Sequence, residues 1–207
     1  MVPREEIIGA AARLFVDQGV AGTSTREIAE SVGIRQASLY YHFANKDEIL
    51  IEVLQRSIRP TVDKIEKLEL IGSERDVTPA TLLYLLVLLD VRTLAQAPHN
   101  GGALARLPEV RRVEGYDQFD ETRSELLAAY DRFAAPVAGC PGINGLRWSA
   151  LLAQLVEVVI GMRTDGESID DMSAAAIASS CLRSCGADDD VIEAASCAAF
   201  DLIGAIE

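Results

Sequence analysis

The stretch from Ser24 to Lys46, STREIAESVGIRQASLYYHFANK, constrains the fold more than any other part of the chain. Ser24 followed by Glu27 is a capping box, so a helix starts at Thr25. Ile28, Ala29 and Val32 fall on one face of that helix and have to be buried. Gly33 supplies the left-handed backbone that ends a helix sharply. In the next helix Leu39 and Phe43, four apart, point inward, while Ala37, Ser38, Tyr41 and His42 point away. Asn45 with Glu48 repeats the capping pattern and opens a further helix. Two short helices around a glycine turn, the second with a polar and aromatic outer face, form a helix-turn-helix of the kind that suits a DNA major groove.

The string Thr25-Arg26-Glu27-Ile28-Ala29, then Val32-Gly33-Ile34, then Leu39-Tyr40-Tyr41-His42-Phe43 and Lys46 closely resembles the DNA-binding domain of TetR-family (tetracycline-repressor-like) transcriptional regulators. Ile7, Ala11, Leu14, Phe15 and Gly19 match that family's first helix and its closing glycine. The resemblance covers about the first quarter of the chain by motif, and the rest by length and helical character. Two positions depart from it. Arg35 stands where the family has a small capping residue, and an arginine side chain cannot accept a backbone N–H; either the recognition helix frays more there or Arg35 contacts a phosphate or a base instead. Ala37 stands where glycine or proline is frequent.

The resemblance implies an all-α architecture: an N-terminal three-helix bundle with the helix-turn-helix at about 24–43, then a larger helical ligand-binding and dimerisation domain. The expected boundaries are 1–60 and 61–207. It also implies a homodimer that binds a palindromic double-stranded DNA operator, most often as a repressor, and is released by a small-molecule effector.

The charge at first opposes a nucleic-acid partner, because the chain carries 19 Lys and Arg against 32 Asp and Glu, a net −13. Its distribution removes the conflict. Residues 1–60 hold 7 basic and 8 acidic side chains, so the excess lies in the C-terminal part. A near-neutral head must bind through a few well-placed cations and helix N-termini. The N-terminus has no signal-peptide pattern, and the most apolar run, Thr81 to Leu89, reads as too short to span a bilayer. The expectation is a cytoplasmic protein with no membrane association. Cys140, Cys181, Cys185 and Cys197 read as small packing residues, with no histidine spaced to complete a metal set. No cofactor or metal is expected.

Every segment reads as helix. The expected spans are Arg4–Gln18, Lys46–Leu70 with a bend at Pro60, Thr78 to Ala97, Glu114–Ala135, Leu146–Met162, Ser168 to Cys185 and Asp188–Ile206. Linkers are expected at Gly72–Asp76 and Gly139–Gly145.

Arg26 and Gln36, at the starts of their helices, are candidates to read guanine and adenine edges. Thr25, Ser38, Tyr40, Tyr41, His42 and Lys46 are placed for phosphates, and Tyr40 reads also as a core ring with a polar tip. In the body, Tyr84, Arg92, Tyr116, Phe119, Arg123, Trp148, Gln154 and Glu157, with His99 and Tyr130, are polar or aromatic residues in apolar helices. They are candidates for lining a ligand pocket, for core hydrogen bonds or for a dimer seam. An enzyme finds no phosphate loop, nucleophile elbow or metal motif in support. A ligand-independent architectural DNA binder stays open at the level of sequence.

Overall fold

The computed structural model describes residues 3–74 and 77–206, and divides the chain into two compact units. The first unit comprises residues 1–59 and 96–122, so a segment from mid-chain joins the N-terminal helices. Its helices are α1 (Arg4–Gln18), α2 (Thr25–Ser31), α3 (Gln36–Leu39) and α4 (Lys46–Gln55). Ile7, Ile8 and Phe15 of α1, Ile28 of α2, Leu39 and Phe43, and Ile49, Leu50 and Leu54 of α4 form its core. The mid-chain segment adds Leu104 and Val110 from two 3₁₀ turns, Pro98–Arg106 and Val110–Arg112, the first of which packs on α1 and α4, and Phe119 from the helix that follows them.

The second unit comprises residues 60–95 and 123–207. It holds α6 (Ile65–Glu74), α7 (Pro79–Gln96), most of α8 (Tyr116–Ala138), α9 (Trp148–Val156), α10 (Val158–Thr164), α11 (Asp171–Ser184) and α12 (Asp189–Ile206). The short α5 (Arg59–Val62) leads into it. Thr78 Oγ1 accepts from the Thr81 N–H at 3.2 Å and caps α7. Asp188 does the same for α12, accepting from Val191 N at 2.9 Å. Helix α7 is mostly apolar, and its side chains from Leu83 to Val91 are all buried. At 18 residues it is longer than the run Thr81 to Leu89 suggests, and by length and composition it could cross a membrane. Here 72% of it is buried, as a core helix is.

The all-α class expected from the sequence is what the structure has, with four local differences. The span Lys46–Leu70 is three helices, not one bent helix. Pro60 has no N–H for the Arg56 carbonyl, Ser57 Oγ donates to Leu54 O at 2.6 Å, and the backbone tightens into i→i+3 bonds over Ser57 and Ile58. Leu146 and Arg147 are not helical: they pair with Gly142 and Ile143 in a two-residue antiparallel hairpin, β1 (Gly142–Ile143) and β2 (Leu146–Arg147). Its turn residues, Asn144 at φ 49° and Gly145 at φ 82°, adopt the left-handed pair that an Asn-Gly hairpin uses. The cap of α11 is Asp170 rather than Ser168, because the Asp170 carboxylate accepts from both the N–H and the hydroxyl of Ser173, at 2.8 and 2.9 Å. Of the expected linker at Gly72–Asp76, the first three residues belong to α6, and Arg75 and Asp76 lie outside the described residues.

Candidate nucleic-acid interface

The local chemistry of residues 24–48 builds an exposed face on a rigid support. Ser24 and Glu27 bond reciprocally: Ser24 N–H donates to the Glu27 carboxylate at 2.8 Å, and Glu27 N–H donates to Ser24 Oγ at 3.2 Å. The Ser24 hydroxyl, which donates to the same carboxylate at 2.7 Å, and after it the Ser24 N–H hold the Glu27 carboxyl below its ordinary range. Gly33 at φ 72° lets Ile34 N–H turn back to Ala29 O at 3.0 Å, which closes α2. Arg35 stands at the start of α3 with no side-chain cap bond. The recognition segment is therefore short. Only Gln36–Leu39 is α-helical, and Tyr40 to His42 continue as turns held by mixed i→i+3 and i→i+4 bonds.

Leu39 and Phe43 anchor this segment from below, 0% and 1% exposed, and the Arg4 guanidinium lies 4.6 Å from the centre of the Phe43 ring. Asn45 Oδ1 caps α4 by accepting from Glu48 N–H at 2.7 Å, while the Glu48 carboxylate accepts from Ala44 N–H, one residue before the position of a capping box.

Around that support, Arg26, Arg35, Gln36, Ala37, Tyr40 and Tyr41 are exposed, and Thr25, Ser38, His42 and Lys46 are half-buried. Tyr41 is 90% exposed, which no packing role accounts for. Tyr40 is not a core ring: it is 48% exposed, and its hydroxyl lies 3.2 Å from Thr25 Oγ1 and accepts from Gln36 Nε2 at 3.4 Å. Gln36 Nε2 also donates to Thr25 Oγ1 at 2.8 Å. The Arg26 guanidinium pairs with Glu30 across one helical turn at 2.8 Å.

Lys46 has a structural task that its sequence position does not announce. Its ammonium donates to Val20 O at 2.8 Å and Thr23 O at 3.0 Å, closing the corner between α1 and α2. Lys46→Ala is therefore expected to cost about 1–3 kcal/mol of stability by leaving two carbonyls without their charged partner. Urea unfolding measures this, and an unchanged midpoint would mean that the corner holds without it.

The body candidates fall into three groups. Arg123, Gln154 and Glu157 come together: Arg123 lies 3.6 Å from the Glu157 carboxylate, to which Gln154 Nε2 donates at 3.0 Å. Tyr84, Arg92 and Trp148 have polar partners within the second unit, at Ala175 O (3.2 Å), Asp171 (2.9 Å) and Cys140 O (2.8 Å). Tyr116 and Phe119 belong to the first unit, where their rings meet at 5.5 Å and 54°. None of the eight lines the recess of about 290 Å³ formed by Pro141, Gly142, Gly145, Leu146 and Arg147 at the hairpin.

The residue that sequence reasoning missed is Asp90. It is a buried carboxyl in the apolar helix α7, and it accepts from Tyr130 OH at 2.6 Å and from Thr61 Oγ1 at 3.5 Å. Burial drives its pKa up to about 7 and the Glu157 charge adds to that, against the lowering effect of the two hydroxyls. The signal was present: an aspartate ends the run TLLYLLVLL. Of the cysteines, Cys181 and Cys185 are buried as packing residues, with thiols pushed up to about 12 and about 11 chiefly by that burial. Cys140 and Cys197 are exposed, so packing does not account for them.

Comparison with known proteins bears on this geometry. Residues 7–53 match the family model described as bacterial regulatory proteins, tetR family. The chain is 36% identical to AmtR of Mycobacterium smegmatis, whose crystal structure superposes with a TM-score of 0.81 over 97% of this chain and 95% of that one. Among curated proteins it is 44% identical over 52 residues to the HTH-type transcriptional repressor KstR2 of Mycolicibacterium smegmatis, covering 25% of each chain. It is 37% identical over 97 residues to the HTH-type transcriptional regulator TtgR of Pseudomonas putida, covering 44% of this chain and 45% of that one. The chain thus matches between a quarter and just under a half of the length of these curated relatives.

Proposed function

Because the chain belongs to the tetR family of bacterial regulatory proteins, we propose that it is a DNA-binding transcriptional repressor. In this reading it acts in the cytoplasm as a homodimer on a palindromic operator and is released by a small, largely apolar, neutral or cationic effector.

The observation that carries the DNA-binding reading is the division of labour in residues 36–43: Leu39 and Phe43 are buried while Gln36 and Tyr41 are exposed in the same short segment. Such a segment presents side chains without having to hold itself together. Arg26 and Gln36 are the proposed base readers, and Arg35, Ser38, Tyr41 and His42 the proposed phosphate contacts. A single recognition helix buries too little surface for tight specific binding, so two copies are required. Val158, Met172, Val191 and Phe200, exposed apolar side chains of α10, α11 and α12, support a dimer seam there. The acidic excess of the C-terminal part supports an effector without strong negative charge.

The test begins with duplexes selected from a randomised pool and assayed by gel shift and fluorescence anisotropy. Half-sites separated by about one DNA turn, ~34–36 Å, are expected, along with a light-scattering mass of two chains. A one-chain mass at micromolar concentration would overturn the dimer. Effectors are then sought by release of the labelled duplex, with binding followed by quenching of the buried Trp148. Compounds that bind the body without altering DNA affinity would favour an architectural DNA binder instead.

A further inference from the structure

We propose that Thr25 and Tyr40 are positioning residues that hold the Gln36 carboxamide ready to read adenine in the major groove. The inference rests on the DNA-binding reading above and adds what prepares the reader of the adenine edge.

Three side chains from two helices close a ring of hydrogen bonds on the exposed face. Gln36 Nε2 donates to Thr25 Oγ1 at 2.8 Å and reaches Tyr40 OH at 3.4 Å, and the two hydroxyls lie 3.2 Å apart. Thr25 is the first residue of α2, Gln36 is the first of α3, and Tyr40 caps the end of α3. The ring therefore spans both helices of the motif. Packing does not explain the residue at position 40, since its ring is half exposed and the apolar anchoring is done by Leu39 and Phe43.

A carboxamide has two N–H donors and one carbonyl acceptor. The short bond to Thr25 occupies one N–H, and the second is held only by the long contact to Tyr40. Gln36 is left with Oε1 and one weakly engaged N–H. That donor–acceptor pair matches adenine, which offers the N6 amino group and N7 side by side in the major groove. A free glutamine on the surface would have to give up rotamer freedom when it met the base. Held in advance by two hydroxyls, it loses less, so binding is tighter and more discriminating.

Two other roles are open to the same hydroxyls: a staple between α2 and α3, or a phosphate contact by Tyr40. Base discrimination separates them. Duplexes are selected on the wild-type dimer from a randomised pool, and affinities are measured for the consensus and for every single-base variant. Gln36→Ala identifies the position that Gln36 reads. Tyr40→Phe and Thr25→Val, each lacking only a hydroxyl, are expected to lower the preference for adenine at that position about tenfold, with preferences elsewhere retained. In a Gln36→Ala background, Tyr40→Phe is expected to change the preference no further.

The proposal is overturned if Tyr40→Phe weakens all duplexes by one common factor, also in the Gln36→Ala background, as a phosphate contact would. It is overturned too if adenine preference survives both hydroxyl deletions. Circular dichroism melts of each variant exclude loss of fold, and the better-folded of the two carries the test. A wild-type protein that enriched no duplex would instead overturn the DNA-binding reading itself.

Discussion

Replacing Asp90 by asparagine is expected to make the protein more stable at pH 8, and to remove most of the decline in stability between pH 4 and pH 8. The carboxyl is buried, its hydrogen-bond partners Tyr130 and Thr61 are neutral hydroxyls, and its pKa is raised from 3.8 to about 7. In the unfolded chain the group loses its proton near its ordinary value, whereas in the fold it keeps the proton until near neutrality. The stability it confers is therefore fully present below pH 3.8 and is lost as pH rises through about 7. At ~1.4 kcal/mol for each pH unit between those values, the loss is on the order of 4 kcal/mol. Asparagine keeps an acceptor for Tyr130 OH and offers an N–H to Thr61 in place of the charge. Urea unfolding of both proteins at pH 5 and pH 8 checks this. Parallel stability curves for the two proteins would mean that Asp90 is ionised and compensated in the fold.

Phe43→Ala is expected to cost about 3–5 kcal/mol, the usual range for truncating a buried aromatic ring. Phe43 is 1% exposed beneath the recognition segment and carries the Arg4 guanidinium 4.6 Å from its centre. Its removal takes the floor from a helix that has one α-turn and no side-chain cap, so DNA binding should be lost with the head's stability. Tyr41→Ala is the control: at 90% exposure it should shift stability by no more than about 0.5 kcal/mol while lowering affinity for duplexes. The comparison requires thermal melts of both variants beside anisotropy titrations. A Phe43→Ala protein melting with the wild type would show that the recognition segment is held from elsewhere.

These two residues mark the limits of what was legible in the sequence. Phe43 could be placed from its spacing to Leu39, because the helical period dictates which side chains share a face. The same rule puts Val32 on a buried face; it is half-buried, since Gly33 ends the helix beside it. The hairpin around Asn144-Gly145 is equally local, but two-residue strands have no alternation to detect, and only the Asn-Gly pair itself is a readable signal. Asp90 could be seen in the sequence but not understood. Its burial depends on Thr61 and Tyr130, which are 29 and 40 residues away.

The exposed face divides in the same way. The candidacy of Gln36 followed from its place at a helix start, whereas its bond to Thr25 spans 11 residues across a turn. Lys46 looked like a phosphate contact, and only the fold brought it to the carbonyls of Val20 and Thr23. A long flexible side chain says nothing locally about where its ammonium will rest.

By itself the sequence determined where α2 and α4 start, where α1 and α2 end, the buried pair beneath the recognition segment and the all-α class. Capping residues, a left-handed glycine and the 3.6-residue period all act within a few positions of the backbone. Only the tertiary structure decided that residues 96–122 join the N-terminal unit and that a carboxyl is sealed into α7. Those outcomes depend on which distant surfaces exclude water together, and no local rule of spacing encodes that choice.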